Sequence, residues 1–131
     1  ITMIEGSSTA PHVVAAIERQ IRPTDSVLVV LDSNHSYEHV MRELEAYAPL
    51  VTPGSYIIAT DGIMRDLADT PRGSPDWVRD NPMRAASDFA ARRPEFAIEP
   101  PPWPFNESTL RRAITHWPGA WLRRAPSQAS P

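Results

Sequence analysis

Two continuous apolar runs, each ending at an aspartate, constrain the fold more than any other feature of the sequence. The first is Ser26–Leu31, followed by Asp32, and the second is Ser55–Thr60, followed by Asp61. Apolar runs without polar alternation are typical of parallel strands that are buried on both faces. Residues 37–48 lie between the two runs and have apolar positions at helical spacing. The sequence therefore predicts a β-α-β unit with a right-handed crossover.

The flanking sequence extends this unit into an α/β domain. We expect a mostly parallel sheet, with an antiparallel hairpin at its C-terminal end and helices on both faces. Residues 1–125 are expected to form this domain and residues 126–131 a loose tail. The other predicted elements are a strand at 1–5, a helix at 10–21, a surface loop at 62–81, a helix at 82–92, a strand at 96–99, and hairpin arms at 112–116 and 120–123.

Composition excludes several classes of function. The chain has 131 residues and a net charge of −3, which gives no electrostatic case for a nucleic acid or membrane partner. The absence of cysteine excludes disulfides, thiolate metal sites and cysteine nucleophiles. All 13 cationic side chains are arginines, which excludes a lysine base. No apolar run has the length of a membrane span and no signal peptide is recognisable, so we expect a cytoplasmic protein.

Polar side chains follow both apolar runs at the same edge of the predicted sheet. Asp32 and Asn34 come after the first strand, and Asp61 comes after the second. Ligands of open α/β sheets bind outside the carboxyl ends of the strands, and carboxylate and amide oxygens suit Mg²⁺. A single aspartate at a strand end more often caps the next segment. Two aspartates that frame one helix favour a metal site.

Two further features lie at this edge. His35 could accept a hydroxyl proton, ligate a metal or only hydrogen-bond its own loop, whereas His39 is expected to be solvated. The turn of Gly6, Ser7 and Ser8 would let a ligand approach the backbone and its hydroxyls. Three aromatic side chains could line an apolar pocket or simply cover the core, namely Trp77, Trp103 and Phe105.

The block Leu31–Val40 resembles the signature of the cephalosporin hydroxylase family. The segments Tyr47–Val51, Pro53–Tyr56 and Pro118–Arg124 are also similar to that family, and the match covers nearly the whole chain. The family has the class I methyltransferase fold, so the resemblance implies part of a Rossmann-like sheet. It further implies an O-methyltransferase that uses S-adenosylmethionine and Mg²⁺ and acts on a hydroxyl of a sugar or natural product.

The resemblance also implies roles for individual residues. Asp32 or Asn34, together with Asp61, stands where the family places its Mg²⁺ ligands. The turn of Gly6, Ser7 and Ser8 resembles the turn that contacts the cofactor adenine. By its offset from Asp32, His35 falls where catechol O-methyltransferase, a distant relative, keeps a lysine base. The expected partner is a small molecule that carries the acceptor hydroxyl, and a homo-oligomer is possible.

The sequence departs from the family pattern in two respects. Thr60 stands where relatives usually have a second carboxylate, and Asn34 stands where an aspartate is common. The glycine-rich loop for the cofactor methionine should precede Ile1 and is absent. We therefore expect a C-terminal half of the domain that is inactive alone. The alternative is a truncated remnant, or a subunit that acts only by associating with another protein.

Overall fold

The computed structural model describes residues 1–102, 109–111 and 114–127, which contain one mixed sheet with helices packed against it. The predicted α/β class is confirmed. No helix in this part of the chain is long and apolar enough to cross a membrane. The helices are α1 (Pro11–Glu18), α2 (Tyr37–Tyr47) and α3 (Pro82–Arg92), and the strands are β1 (Val29–Leu31), β2 (Tyr56–Ala59), β3 (Phe96–Ile98) and β4 (Trp121–Arg124), in the order β1-β2-β4-β3 across the sheet.

Strands β1 and β2 pair in parallel, as the two apolar runs predict. Leu31 lies opposite Ala59, so both strands end at the same edge of the sheet. The crossover between them is α2, which begins after Ser36, and the hydroxyl of Ser36 accepts the backbone N–H of His39 as an N-cap. The carboxyl end of this β-α-β unit is where the candidate site lies.

Strand β4 pairs differently from the prediction. It lies antiparallel between β2 and β3, with Leu122 opposite both Ile57 and Ile98. The predicted hairpin between 112–116 and 120–123 is therefore wrong: residues 114–116 form no strand, and residues 112–113 lie outside the described part. Pairing in the middle of the sheet buries Leu122 completely, which a hairpin arm at the edge of the sheet would not do.

The N-terminal segment is the second error of the prediction. Residues 1–5 form no strand and pair with no strand of the described sheet. Helix α1 follows the turn at Gly6, lies within the predicted range 10–21 and has Pro11 in its first turn. Its N-cap residue is Ala10, which makes no side-chain cap bond.

The core lies between one face of the sheet and the two longer helices. Leu44 of α2 and Phe89 of α3 are fully buried in the same cluster as Ile57 and Leu122 of the sheet. Burying a side chain of this size contributes roughly 2 kcal/mol. In β1, the side chain of Val30 points to the opposite face of the sheet and is half exposed. The two longer helices therefore share one face of the sheet.

The segment between β2 and α3, which was predicted as a surface loop, contains two short 3₁₀ helices, Gly62–Leu67 and Pro75–Val78. Asn81 then caps α3 by accepting the N–H of Arg84, and Pro82 occupies the first turn. Trp103, Phe105 and residues 128–131 of the predicted tail lie outside the described residues.

Candidate metal centre and adjoining turn

The ends of β1 and β2 bring the two strand-end aspartates together. The backbone N–H of Thr60 donates to the carbonyl of Leu31 over 3.1 Å, which continues the parallel pairing one residue beyond β2. Asp32 directly follows Leu31 and Asp61 directly follows Thr60, so both aspartates leave the sheet at the same edge. The convergence expected from the sequence is therefore a consequence of strand register.

His35 completes a cluster with the two aspartates. One ligand atom from each of Asp32, His35 and Asp61 lies within 4.8 Å of the others. The Nε2 atom of His35 is 3.4 Å from Oδ1 of Asp32 and 3.7 Å from Oδ2 of Asp61. This atom is buried and makes no hydrogen bond to any described residue. The three ligand atoms are thus close enough together to hold one metal ion.

Asp61 adopts an unusual backbone conformation. Its φ of 55° lies in the left-handed region, and it is the one non-glycine residue of the described chain with a positive φ. This conformation costs an ordinary L-residue about 1 kcal/mol, although aspartate and asparagine tolerate it best. Local strain of this kind is often found where a side chain must be aimed at a site. The left-handed conformation of Asp61 lets the 3₁₀ helix Gly62–Leu67 begin at the next residue, while the carboxylate of Asp61 stays in the cluster.

Thr60 lies behind the cluster and is completely buried. Its hydroxyl donates to Oδ1 of Asp32 over 2.7 Å. This hydrogen bond is the main reason why the pKa of Asp32 lies below its ordinary value of 3.8, while neighbouring His35 lowers it further and partial desolvation opposes both. Asp32 therefore keeps its negative charge well into acidic conditions.

The side chain of Asn34 makes a different contact from those of the two aspartates. Its side-chain oxygen accepts the backbone N–H of Ser36 over 2.9 Å, which fixes the loop just before α2. Asn34 also lines an open pocket together with the turn of Gly6, Ser7 and Ser8. Asn34 therefore contacts the pocket beside the turn and directly precedes His35 of the cluster.

The turn of Gly6, Ser7 and Ser8 is held against α2. Gly6 has a φ of 140°, and a Cβ atom there would lie 2.7 Å from a methyl group of Val13, so glycine is required at this position. The hydroxyl of Tyr47 donates to the carbonyl of Ser8 over 2.7 Å. The hydrogen bond from Tyr47 thus holds the turn, and the pocket that it lines, against α2.

A partly buried polar network that lines this pocket was missed at the sequence level. His39 Nε2 lies 3.2 Å from the hydroxyls of both Ser8 and Ser33, so His39 is not the solvated residue that we expected. Glu43 is almost completely buried and accepts a 2.7 Å hydrogen bond from Ser33. His39 and Glu43 are four residues apart on α2, a helical spacing that could have indicated the pair. Ser33 directly follows Asp32, so the network joins the turn to the metal cluster.

An apolar pocket of about 420 Å³ is lined mainly by the prolines at 100–102 and by the segment 115–121. The segment that lines it contacts the residues after Asp61, because Ile63 donates its N–H to the carbonyl of His116 over 3.1 Å. Its aromatic lining comes from Trp117 and Trp121, whereas Trp77 lies in the 3₁₀ helix Pro75–Val78. Pattern alone did not indicate which tryptophans line a pocket.

Comparison with known proteins agrees with this arrangement. The family model described as "Rhamnosyl O-methyltransferase/CmcI" matches residues 1–125. The rhamnosyl O-methyltransferase of Mycobacterium leprae is 33% identical over 73 residues, which are 55% of this chain and 32% of that protein. Those of Mycobacterium bovis and Mycobacterium tuberculosis H37Rv are each 32% identical over 62 residues, which are 47% of this chain and 25% of theirs.

These alignments span about a quarter to a third of the length of the curated relatives. No solved structure shows a significant match to the chain. The family match nevertheless covers nearly every residue of the chain, and it includes the turn, the strand ends and the cluster of Asp32, His35 and Asp61. The family is related to cephalosporin hydroxylase, as the sequence resemblance indicated. The chain belongs to the rhamnosyl O-methyltransferase/CmcI family.

Proposed function

We propose that this chain contributes the metal and acceptor side of an O-methyltransferase that transfers a methyl group from S-adenosylmethionine to a hydroxyl of a sugar. The observation that carries the proposal is the convergence of Asp32, His35 and Asp61 at the ends of two parallel strands. The names of the relatives support a rhamnose-type acceptor. The proposed acceptors also include other natural products with a free hydroxyl, because the methyl group would be transferred to the same kind of oxygen.

The donor set fits a divalent cation. Asp32 and Asp61 supply two carboxylates, whose charges balance an ion such as Mg²⁺, and hard cations prefer such oxygen ligands. When bound, the cation supplies Lewis acidity that lowers the pKa of an acceptor hydroxyl. Asn34 keeps the second lone pair of its side-chain oxygen, so it is a further ligand in this proposal.

His35 is proposed as the base that takes the hydroxyl proton. Its Nε2 atom faces the cluster and has no hydrogen-bonding partner among the described residues, so it is available as an acceptor. Because Mg²⁺ favours oxygen ligands, the imidazole remains free for the proton when this ion is present. Nε2 of His35 would accept the hydroxyl proton as the acceptor oxygen takes the methyl group, which S-adenosylmethionine would supply with S-adenosylhomocysteine as the leaving group.

The turn of Gly6, Ser7 and Ser8 is proposed to contact the adenosine end of S-adenosylmethionine. It offers hydroxyl groups and a backbone that a ligand can approach closely, in a pocket next to Asn34. The sequence contains no complete Gly-x-Gly-x-x-Gly loop for the rest of the cofactor. We therefore propose that the chain alone binds S-adenosylmethionine more weakly than about 1 μM, which corresponds to roughly −8 kcal/mol.

A second candidate function is association with another polypeptide. Strand β1 is at the edge of the described sheet, and the side chains of Leu28 and Val30 beside it are about half exposed. Exposed apolar residues along an unpaired edge favour the addition of another strand. In this alternative, the chain supports a methyltransferase only as part of a larger assembly.

Transfer of a labelled methyl group distinguishes the two candidates. The chain is incubated with S-adenosylmethionine labelled in its methyl group, a rhamnoside acceptor and Mg²⁺, over a wide range of cofactor concentrations. The chain alone should give no label at ordinary cofactor concentrations, in line with its expected inactivity. Label should appear only when a high cofactor concentration offsets the weak binding, and none should appear for Asp61→Ala. Label that is insensitive to Asp61→Ala would contradict the proposed metal centre. No label under any condition, together with concentration-dependent association, would favour the second candidate.

A further inference from the structure

Thr60 departs from the family pattern, because it has a hydroxyl where relatives usually have a carboxylate. The structure gives this hydroxyl a definite partner. Thr60 follows β2, is completely buried and directs its side chain towards the end of β1. Its Oγ1 atom lies 2.7 Å from Oδ1 of Asp32 and 3.0 Å from the carbonyl oxygen of Leu31.

A hydroxyl carries a single proton, so the two acceptors compete for it. The carbonyl of Leu31 already accepts the backbone N–H of Thr60 at 3.1 Å. Oδ1 of Asp32 is closer and is charged, and hydrogen bonds to ionised acceptors are about twice as strong as neutral ones. The proton of the Thr60 hydroxyl therefore belongs to Asp32.

Asp32 needs such a partner to hold a fixed position. Its side chain is 65% exposed and follows the last residue of β1, where little packing restrains it. Thr60 is rigid, because it is buried and β-branched, and β-branched side chains have few rotamers. The oxygen that accepts from Thr60, Oδ1 of Asp32, is also the one that lies 3.4 Å from Nε2 of His35, so this hydrogen bond fixes the carboxylate oxygen that faces the cluster and leaves its remaining lone pair for a cation.

We propose that Thr60 is a positioning residue for the metal centre, whose hydroxyl aims the carboxylate of Asp32 at the space shared with Asp61. The inference rests on the proposed function, because it assumes that this space takes a divalent cation. Donors that hold a metal ligand without contacting the ion typically change its affinity by 10- to 100-fold when removed. Thr60 would thus contribute to cation binding through orientation and not through charge.

Binding of Mn²⁺ to the whole chain, followed by electron paramagnetic resonance of the free ion, tests this proposal. Thr60→Val keeps the shape of the side chain but removes the hydroxyl, and Thr60→Ser restores it. We expect Thr60→Val to weaken Mn²⁺ binding by at least about tenfold. Thr60→Ser should remain within about threefold of wild type, since it keeps the donor.

Two controls separate positioning from general damage to the fold. Thr52→Val removes the hydroxyl that accepts the backbone N–H of Val27, away from the cluster, and should leave Mn²⁺ affinity unchanged. In a double-mutant cycle, Thr60→Val should have no further effect once Asp32→Asn has removed the carboxylate charge. Thr60→Ala provides the same test if Thr60→Val does not fold.

The outcomes are distinct. Wild-type affinity in Thr60→Val or Thr60→Ala would overturn the role of Thr60. The same would follow if Thr60→Ser lost as much affinity as Thr60→Val, because the methyl group and not the hydroxyl would then matter. If the wild-type chain binds no Mn²⁺, the metal centre of the proposed function fails, and the inference fails with it.

Discussion

Nε2 of His35 lies 3.7 Å from the carboxylate of Asp61, although the two residues belong to loops that follow different strands. The contact exists because β1 and β2 are parallel and end in register, so that the loop after each strand rises from the same edge. An imidazole this close to two carboxylates can serve as a base or as a third metal ligand. The chemical preference of the bound ion decides between these roles.

Zn²⁺ should recruit His35, whereas Mg²⁺ and Mn²⁺ should not. Zn²⁺ accepts imidazole nitrogen as readily as carboxylate oxygen, but the harder ions prefer oxygen. We predict that His35→Ala weakens Zn²⁺ binding by at least about tenfold and Mn²⁺ binding by less than about threefold. Competition titrations with a metal indicator dye measure both. His116→Ala, at an exposed histidine, is the matched control. Equal losses for both ions would show that His35 is an obligatory ligand and not a free base.

Asp61 combines a charge with a left-handed backbone, and substitution can separate them. Asparagine tolerates this conformation, whereas alanine does not. We predict that Asp61→Asn folds as stably as wild type and loses Mn²⁺ binding. Asp61→Ala should lose binding and also about 1 kcal/mol of unfolding free energy. Urea denaturation and Mn²⁺ titration supply the two readouts, with exposed Asp66→Asn as the control. Equal stability of the alanine and asparagine variants would mean that the backbone is unstrained at residue 61.

The charge of Asp32 should persist to low pH because of Thr60. The pKa of Asp32 is lowered from 3.8 in the folded chain, chiefly by the hydrogen bond from Thr60. A lowered pKa stabilises the fold above the pKa of the unfolded chain, and this stabilisation is lost as the pH falls through the lower, folded-state pKa. We predict that Thr60→Val raises the pKa of Asp32 towards 3.8. Carboxyl ¹³C NMR, followed from about pH 6 to about pH 2, measures this pKa. An unchanged pKa in the variant would assign the shift to another cause.

Glu43 should matter through its hydrogen bond more than through its charge. The carboxylate is almost fully buried, accepts from Ser33, and has one oxygen without a partner among the described residues. We predict that Glu43→Ala lowers the free energy of unfolding by about 1–3 kcal/mol, because it removes a buried side chain together with its hydrogen bond from Ser33. Glu43→Gln keeps an acceptor and removes a buried charge, so it should cost less.

Urea denaturation of these two variants provides the measurement. Glu45→Ala, at an exposed position of the same helix, should change the free energy of unfolding by less than about 0.5 kcal/mol. A loss in Glu43→Gln at least as large as that in Glu43→Ala would show that the negative charge itself is required.

Local signals in the sequence located most of the elements. Helix α2 begins after Ser36 and α3 begins at Pro82, because capping residues and a first-turn proline act within one helical turn. The pairing of β4 was not predictable in this way. Leu122 lies between Ile57 and Ile98, which come from distant parts of the chain, and nothing near residue 122 specifies either partner.

In the candidate site, too, the sequence predicts the contacts that follow from neighbouring elements but not those that depend on tertiary packing. The convergence of Asp32 and Asp61 could be predicted, because it follows from two consecutive parallel strands. The role of His39 could not, because its partner Ser8 is 31 residues away in a turn whose position depends on tertiary packing. Thr60 was interpreted as a missing carboxylate, since sequence shows which residue is absent but not which hydrogen bond its replacement makes.

The position of a bound paramagnetic ion tests the central claim most directly. Mn²⁺ broadens NMR signals of nearby nuclei, so a substoichiometric addition to the ¹⁵N-labelled chain reveals where the ion binds. We predict selective broadening at Asp32, His35 and Asp61, with Arg124 at the far end of β4 unaffected, and loss of the effect in Asp61→Asn. Broadening centred elsewhere, or unchanged by Asp61→Asn, would contradict a metal centre at the ends of β1 and β2.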